Sequence, residues 1–246
     1  MSIQKIKRIT TRIIRKASPP FITTKSKVAF DYWLGMFEGT CEKELRYLDS
    51  IIAEAEVAID VGANEGLFSY KMSKRFSKVY SFEINDSLTK NLAAYNPGNI
   101  EIINKGLSSR EGSAILYIPR SNGLNLTGWA SLTPGNCPDS HEYTEKYVTI
   151  CPLDSFDIHP VSFIKIDVEG HELEVLKGGF NTLVHNRPIV LIEIKPPNID
   201  EAFSFFAQLQ YERKKLQDFV PVIGSEENYI FVPRENADFN YHSCSA

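Results

Sequence analysis

Apolar, β-branched runs near 57–61, 78–82, 100–104, 162–167 and 189–194 punctuate this chain. Between them lie segments near 65–76, 86–95, 172–184 and 199–209 whose apolar positions recur at helical spacing. Such alternation predicts strands of a parallel sheet, buried on both faces, with helices as crossovers. Two further strand-like runs, about 211–217 and 228–233, predict an antiparallel pair that finishes the sheet. Upstream, residues 1–16 read as a helix, "SPPF" breaks the chain, and Lys43 to Ala53 reads as a helix beside the first strand. The alternation fails over 105–151. There "EGS" is a turn signal, "AILYIP" is strand-like, and Ser121 to His141 is rich in Asn, Gly, Ser, Thr and Pro. A loop that long in a compact domain predicts a lid or binding loop, so an insertion is expected at about 119–147. Within it Asn122, Asn125, Trp129 and Tyr143 are candidates to touch an acceptor. The competing reading is a solvated excursion with Trp129 tucked onto the core.

The first strand runs into Asp60-Val61-Gly62-Ala63-Asn64-Glu65-Gly66. Glycine admits positive φ and close backbone approach, so such a loop can wrap a small polar ligand at a strand's carboxyl end. The next strand ends on Glu83, where a carboxylate can accept both ribose hydroxyls of a nucleoside. The spacing argues against a dinucleotide, whose pyrophosphate wants G-x-G-x-x-G. Asp60, two residues before the first glycine, repels phosphate and suits a cationic group such as a sulfonium or an α-ammonium. S-adenosylmethionine carries both. On this reading Asp60, Gly62, Ala63, Asn64 and Gly66 surround the methionine part, Glu83 the ribose, and the Lys105-Gly106-Leu107 turn the adenine.

A second cluster is Lys165-Ile166-Asp167-Val168-Glu169-Gly170-His171. Alternation puts Lys165 and Asp167 on one face of a central strand, opposite Ile164 and Ile166. Ionised groups there are expensive to bury unless paired. Asp167, Glu169, His171 and Glu193 all fall at strand carboxyl ends, where ligands of open α/β sheets sit. Lys165 reads first as the centre of a structural ion-pair network. If the chemistry is methyl transfer to a hydroxyl, a base is useful. His171 is the candidate base, with Asp167 and Glu169 orienting it or holding the acceptor and Glu193 on the acceptor side. Asp167, Glu169 and Glu193 could alternatively hold Mg²⁺, which is not favoured because carboxylates in a pocket do not specify coordination.

With these residues in view, the chain resembles the FkbM-type methyltransferases from about Gly39 to Pro233. The resemblance rests on "IDVGANEG", "NKGLSSREGSAILYIP", "PLDSF", "FIKIDVEGHELEVLKGG" and "RPIVLIEIKP". It implies a class I, S-adenosylmethionine-dependent fold over 39–246 and O-methyl transfer to a sugar or related metabolite hydroxyl. The family commonly has a small residue where His171 stands. Rival readings are an N-methyltransferase, a nicotinamide-dependent oxidoreductase, and a noncatalytic nucleoside-binding scaffold of the same fold.

Composition changes the picture in two places. Residues 1–27 hold eight basic side chains and no acidic one, whereas the remainder holds 19 basic against 31 acidic. An acidic body disfavours nucleic acid as a partner, since phosphate contacts supply most nonspecific affinity. Wound as a helix, Ile3, Ile6, Ile9, Ile13 and Ile14 fall within an arc of about 140°, opposite most of the lysines and arginines. Residues 1–38 are thus expected to form a basic arm and lead-in, suited either to an anionic membrane surface or to packing on the domain or on a second subunit. Cys41, Cys137, Cys151 and Cys244 lack paired spacing. A zinc cluster with His141 and His159 is therefore not supported, and reduced thiols in a cytoplasmic protein are expected.

Overall fold

The computed structural model describes residues 22–121, 123–133 and 142–236. Its strands are β1 (Val57–Val61), β2 (Lys78–Phe82), β3 (Ile100–Ile103), β4 (Gly106–Leu107), β5 (Gly112–Ser121), β6 (Leu124–Asn125), β7 (Glu142–Cys151), β8 (Phe163–Ile166), β9 (Ile189–Glu193), β10 (Tyr211–Lys214) and β11 (Asn228–Pro233). The helices are α1 (Thr24–Glu38), α2 (Lys43–Arg46), α3 (Leu48–Ile51), α4 (Leu67–Met72), α5 (Lys90–Tyr95), α6 (Glu172–Gly178), α7 (Phe180–Asn186) and α8 (Ile199–Gln208). Seven strands form one sheet in the order β10-β11-β9-β8-β1-β2-β3. The central pairs are parallel, and β11 runs antiparallel to both β9 and β10. This is the class I methyltransferase arrangement: the order reverses at β1, which opens a crevice at the strands' carboxyl ends.

Period-two alternation divides the core. Ala58, Val79, Phe163 and Leu191 face the layer built from α1 to α4. Ile59, Val61, Ile164, Ile166, Val190 and Ile192 face the layer of α6, α7 and α8. Asp60 and Lys165 are register partners across β1 and β8 and share the first face. Their polarity therefore sits in an otherwise apolar layer, directly under the crevice.

Two expectations from the sequence need revision. The helix expected over 43–53 is two short pieces, α2 and α3. The helix expected over 172–184 is divided at Gly178-Gly179 into α6 and α7, and a Cβ on Gly178 would lie 2.0 Å from the Ser108 carbonyl oxygen. At the edges of the expected insertion β5 and β7 pair antiparallel from Gly112↔Ile150 to Arg120↔Glu142, in a second sheet ordered β4-β7-β5-β6.

Helix α1 lies in the stretch read as a lead-in. Thr23 and Ser26 form a capping box at its start, and Gly39 ends it in the left-handed region. Val28 and Tyr32 enter the core, whereas Trp33 and Phe37 point outward. Apolar residues on two faces obscure the helical period, which is why the helix was not anticipated. The basic arm expected to be helical over 1–16 lies outside the described residues, as do Asn122, Cys137, His141 and Cys244.

Candidate active site

The glycine loop turns between β1 and α4. Gly62 has φ +77°, and a Cβ there would stand 1.8 Å from the Asp167 carbonyl oxygen, so only glycine lets β8's end approach. Gly66 caps α4 at φ +86° with Leu92 packed against it. At the end of β2, Glu83 is 6% exposed, and its two oxygens accept the backbone N–H groups of Asn64 (2.7 Å) and Asn85 (2.8 Å). Burial raises its pKa while those two N–H groups oppose the rise. The carboxylate is thus fixed in place, with lone pairs left for a diol.

These residues open onto one cavity, about 660 Å³ when the part open to solvent is counted. Gly62, Asn64, Glu83, Ile84, Leu88 and the Lys105-Gly106-Leu107 turn line one part of it. Asp167, Val168, Glu169 and His171 line another, and Thr127, Gly128, Ala130, Ser131 and Leu132 of the insertion form a wall.

Asp60 is placed differently from expectation. It is fully buried and does not line the cavity. Its Oδ2 accepts Ser69 Oγ–H at 2.5 Å, and Oδ1 has no hydrogen-bond partner. Burial raises its pKa, opposed by Lys165 and Ser69. Asp60 therefore lies beneath the loop as a buried charge, and Ala63 likewise lies behind the lining.

Lys165 ties the strands together. Its Nζ donates to Asp167 Oδ2 at 3.1 Å and stands 4.9 Å from the centre of the Phe68 ring. Burial pulls its pKa down, but Asp167, Asp60 and Glu42 outweigh burial and raise it. The structural-network reading of Lys165 holds. Asp167, Glu169 and Glu193 present carboxylate oxygens within 4.8 Å of one another. Lys195 bridges this group, donating to Glu193 and pairing with Glu169 (3.2 Å) and Glu227 (3.1 Å). Burial, then the Asp167 charge, still pushes Glu193 up to about 8.

The turn after β8 is clamped. Glu169 (φ +51°) and Gly170 (φ +100°) are both left-handed, a conformation a non-glycine residue holds only when surroundings fix it. Ser131 Oγ–H donates to the Glu169 carbonyl at 2.7 Å. Glu172 accepts the Gly170 N–H at 2.6 Å and the Asn198 side-chain N–H at 2.8 Å. His171 follows, with Nε2 3.0 Å from Ser108 Oγ. Burial lowers its pKa, so the ring is neutral near neutral pH.

The acceptor-side candidates of the insertion do not reach the cavity lining. Asn125 pairs with Arg120 at the hairpin's end and accepts from Thr144 Oγ1, while Trp129 is 39% exposed. Tyr143 packs edge-on against Tyr117. Their neighbours Thr127, Gly128 and Ala130 line the space instead. Sequence reasoning passed over Lys195, Asn198, Ser108, Ser131 and Glu42. Lys195 and Asn198 follow "IVLIEI" at a strand end, a position that already drew attention at Asp167; the two serines had no signal.

Residues 60–217 match the model of the methyltransferase FkbM domain. Over 195 residues the chain is 33% identical to the hexuronic acid methyltransferase AglP of Haloferax volcanii, covering 75% of this chain and 76% of that protein. It is 29% identical over 157 residues to methyltransferase sdnD of Sordaria araneosa, covering 49% of this chain and 59% of that one. Among solved structures, the FkbM methyltransferase of Methylobacillus flagellatus KT aligns with a TM-score of 0.49 at 16% identity, over 92% of this chain and 59% of that chain. A glycine loop, a fixed carboxylate after β2 and the domain match converge: the chain belongs to the FkbM family of S-adenosylmethionine-dependent methyltransferases.

Proposed function

We propose that this protein transfers a methyl group from S-adenosylmethionine to a hydroxyl of a carbohydrate or a related metabolite. The observation that carries the reading is one cavity joining a nucleoside cradle at Glu83 to a rim of Asp167, Glu169 and His171. The AglP relative, named for a hexuronic acid substrate, supports a sugar acceptor.

The residues present fit the cofactor. Glu83 would accept the ribose hydroxyls, the Lys105–Leu107 turn and Leu88 would flank the adenine, and Gly62 and Asn64 would border the amino-acid end. Bound there, S-adenosylmethionine supplies an electrophilic methyl carbon on a sulfonium. The chain's own work is alignment and proton removal. Asp167 and Glu169 hold the acceptor hydroxyl. His171 takes its proton: with Nε2–H donating to Ser108 Oγ, the lone pair is on Nδ1. A Mg²⁺ at Asp167, Glu169 and Glu193 is less suited, because Lys195 already supplies positive charge to two of them.

The test is turnover of the purified protein with S-adenosylmethionine against sugars, hexuronic acids and nucleotide sugars, with and without chelator. Methylated product on a sugar hydroxyl, unaffected by chelation, is expected. Transfer to amines alone would overturn the acceptor class, and loss of activity on chelation would assign the carboxylates to a metal.

A further inference from the structure

The outer face of α1 bears Phe30, Trp33, Leu34 and Phe37 at i, i+3, i+4 and i+7, with Trp33 64% and Phe37 91% exposed. No packing need keeps large aromatics there, since the same helix buries Val28 and Tyr32 on its other side. The patch continues past the helix. Arg46 on α2 donates to the Met36 carbonyl at α1's end, and Lys43 on α2 donates to the Ile223 carbonyl at 2.6 Å. Ile223 is itself 73% exposed. Phe37 and Ile223 therefore flank one short basic helix.

Two facts say what covers this face. The sequence preceding α1 is strongly cationic: residues 1–23 carry six basic side chains and no acid. Exposed aromatics beside clustered lysine and arginine match the boundary of an anionic bilayer, where the rings enter the headgroup region and the cations meet lipid charge. Among the described residues no helix is long and apolar enough to cross a membrane, so contact is with the surface.

We infer that the outer face of α1 and the α2–Ile223 rim form a docking surface for an anionic lipid bilayer, favoured by the basic sequence that precedes α1.

Trp33 and Trp129 are the chain's two tryptophans, so Trp129→Phe in the full-length protein leaves Trp33 as the sole reporter. Vesicles of phosphatidylcholine with phosphatidylglycerol should shift Trp33 emission to the blue at low salt, and phosphatidylcholine alone should not. Cosedimentation should weaken with added salt. In the wild-type background, Trp33→Ser with Phe37→Ser should lower partitioning about tenfold or more. An unchanged Trp33 spectrum with anionic vesicles would overturn the inference. So would Trp33 already buried in a concentration-dependent dimer, which would assign the face to a second copy of the chain.

Discussion

Glu83 offers the sharpest test of the cofactor site, because both its carboxylate oxygens are already committed to backbone N–H groups. Glutamine keeps the shape but presents one acceptor and one NH₂, so the Asn64 or the Asn85 N–H would face a donor. Glu83→Gln then loses a charge and also leaves a buried N–H without an acceptor. Hydrogen bonds to a charged group contribute about 1.5–3 kcal/mol, and a buried unsatisfied donor costs about 1–3 kcal/mol. The unsatisfied N–H is present with and without ligand and so lowers stability, leaving the charge-assisted bonds to the ligand to set the loss of affinity. Glu83→Gln and Glu83→Ala should each weaken S-adenosylhomocysteine by about 1.5–3 kcal/mol, roughly 10- to 150-fold in Kd, by titration calorimetry. The cycle is closed with the 2′-deoxy form of the ligand. Wild type should lose affinity for it, and Glu83→Ala should lose little more, because the partner of that hydroxyl is already gone. A Kd within twofold of wild type, or equal losses on the deoxy ligand in both proteins, would refute the ribose assignment.

Other outcomes follow from the same geometry. Gly62→Ala should destabilise by about 3 kcal/mol or more in denaturant unfolding, as its Cβ would overlap the Asp167 carbonyl at positive φ; a near-normal midpoint would contradict the close approach. His171→Ala should lower turnover about 10²–10⁴-fold with cofactor affinity nearly intact. Because burial depresses the His171 pKa, the acid limb of the wild-type rate profile should lie below about 6.5; near-normal turnover would move the base to Asp167 or Glu169. Glu193, pushed up to about 8, keeps a proton in the folded chain that the unfolded chain releases above its ordinary value near 4.5. Stability contributed by that proton is present at low pH and is lost as pH rises through about 8. Glu193→Gln should therefore gain on wild type between pH 5 and 8, by about 1–2 kcal/mol or roughly 2–8 °C in Tm; a flat difference across that range would sink the assignment.

The parts of this fold legible in the sequence are those set by local pattern. The β1 to β2 unit announces itself through an apolar run, a turn that only glycine can make and a terminal acid. The turn after β8 does so through acids interrupting an apolar strand. Asp60 shows the limit: strand position was readable, but its burial depends on Ser69 and Lys165 closing over it from other elements. Asn125 and Trp129 stand out by chemical type, yet it is their neighbours Thr127, Gly128 and Ala130 that line the cavity. Lys195 owes its role to three carboxylates, of which Glu169 comes from a distant segment. Ser131 owes its role to a hydrogen bond across the insertion. Neither partnership has a local sequence signature.

The pairing of β1 with β8 has a kinetic consequence. Asp60 and Lys165 are neighbours in space yet roughly a hundred residues apart in the chain, so closing that contact carries a large loop-entropy cost. The ribose-binding edge is different, since β1, β2 and β3 are consecutive in the chain and pair with one another within residues 57–103. During synthesis the two halves of the active site therefore mature at different times. The ribose-binding edge can form while the ribosome is still making the insertion, but the acid cluster waits until β8 and β9 have emerged and slotted beside β1. By loop-closure cost, the pairing of β8 with β1 is the late step in completing the acid side of the site.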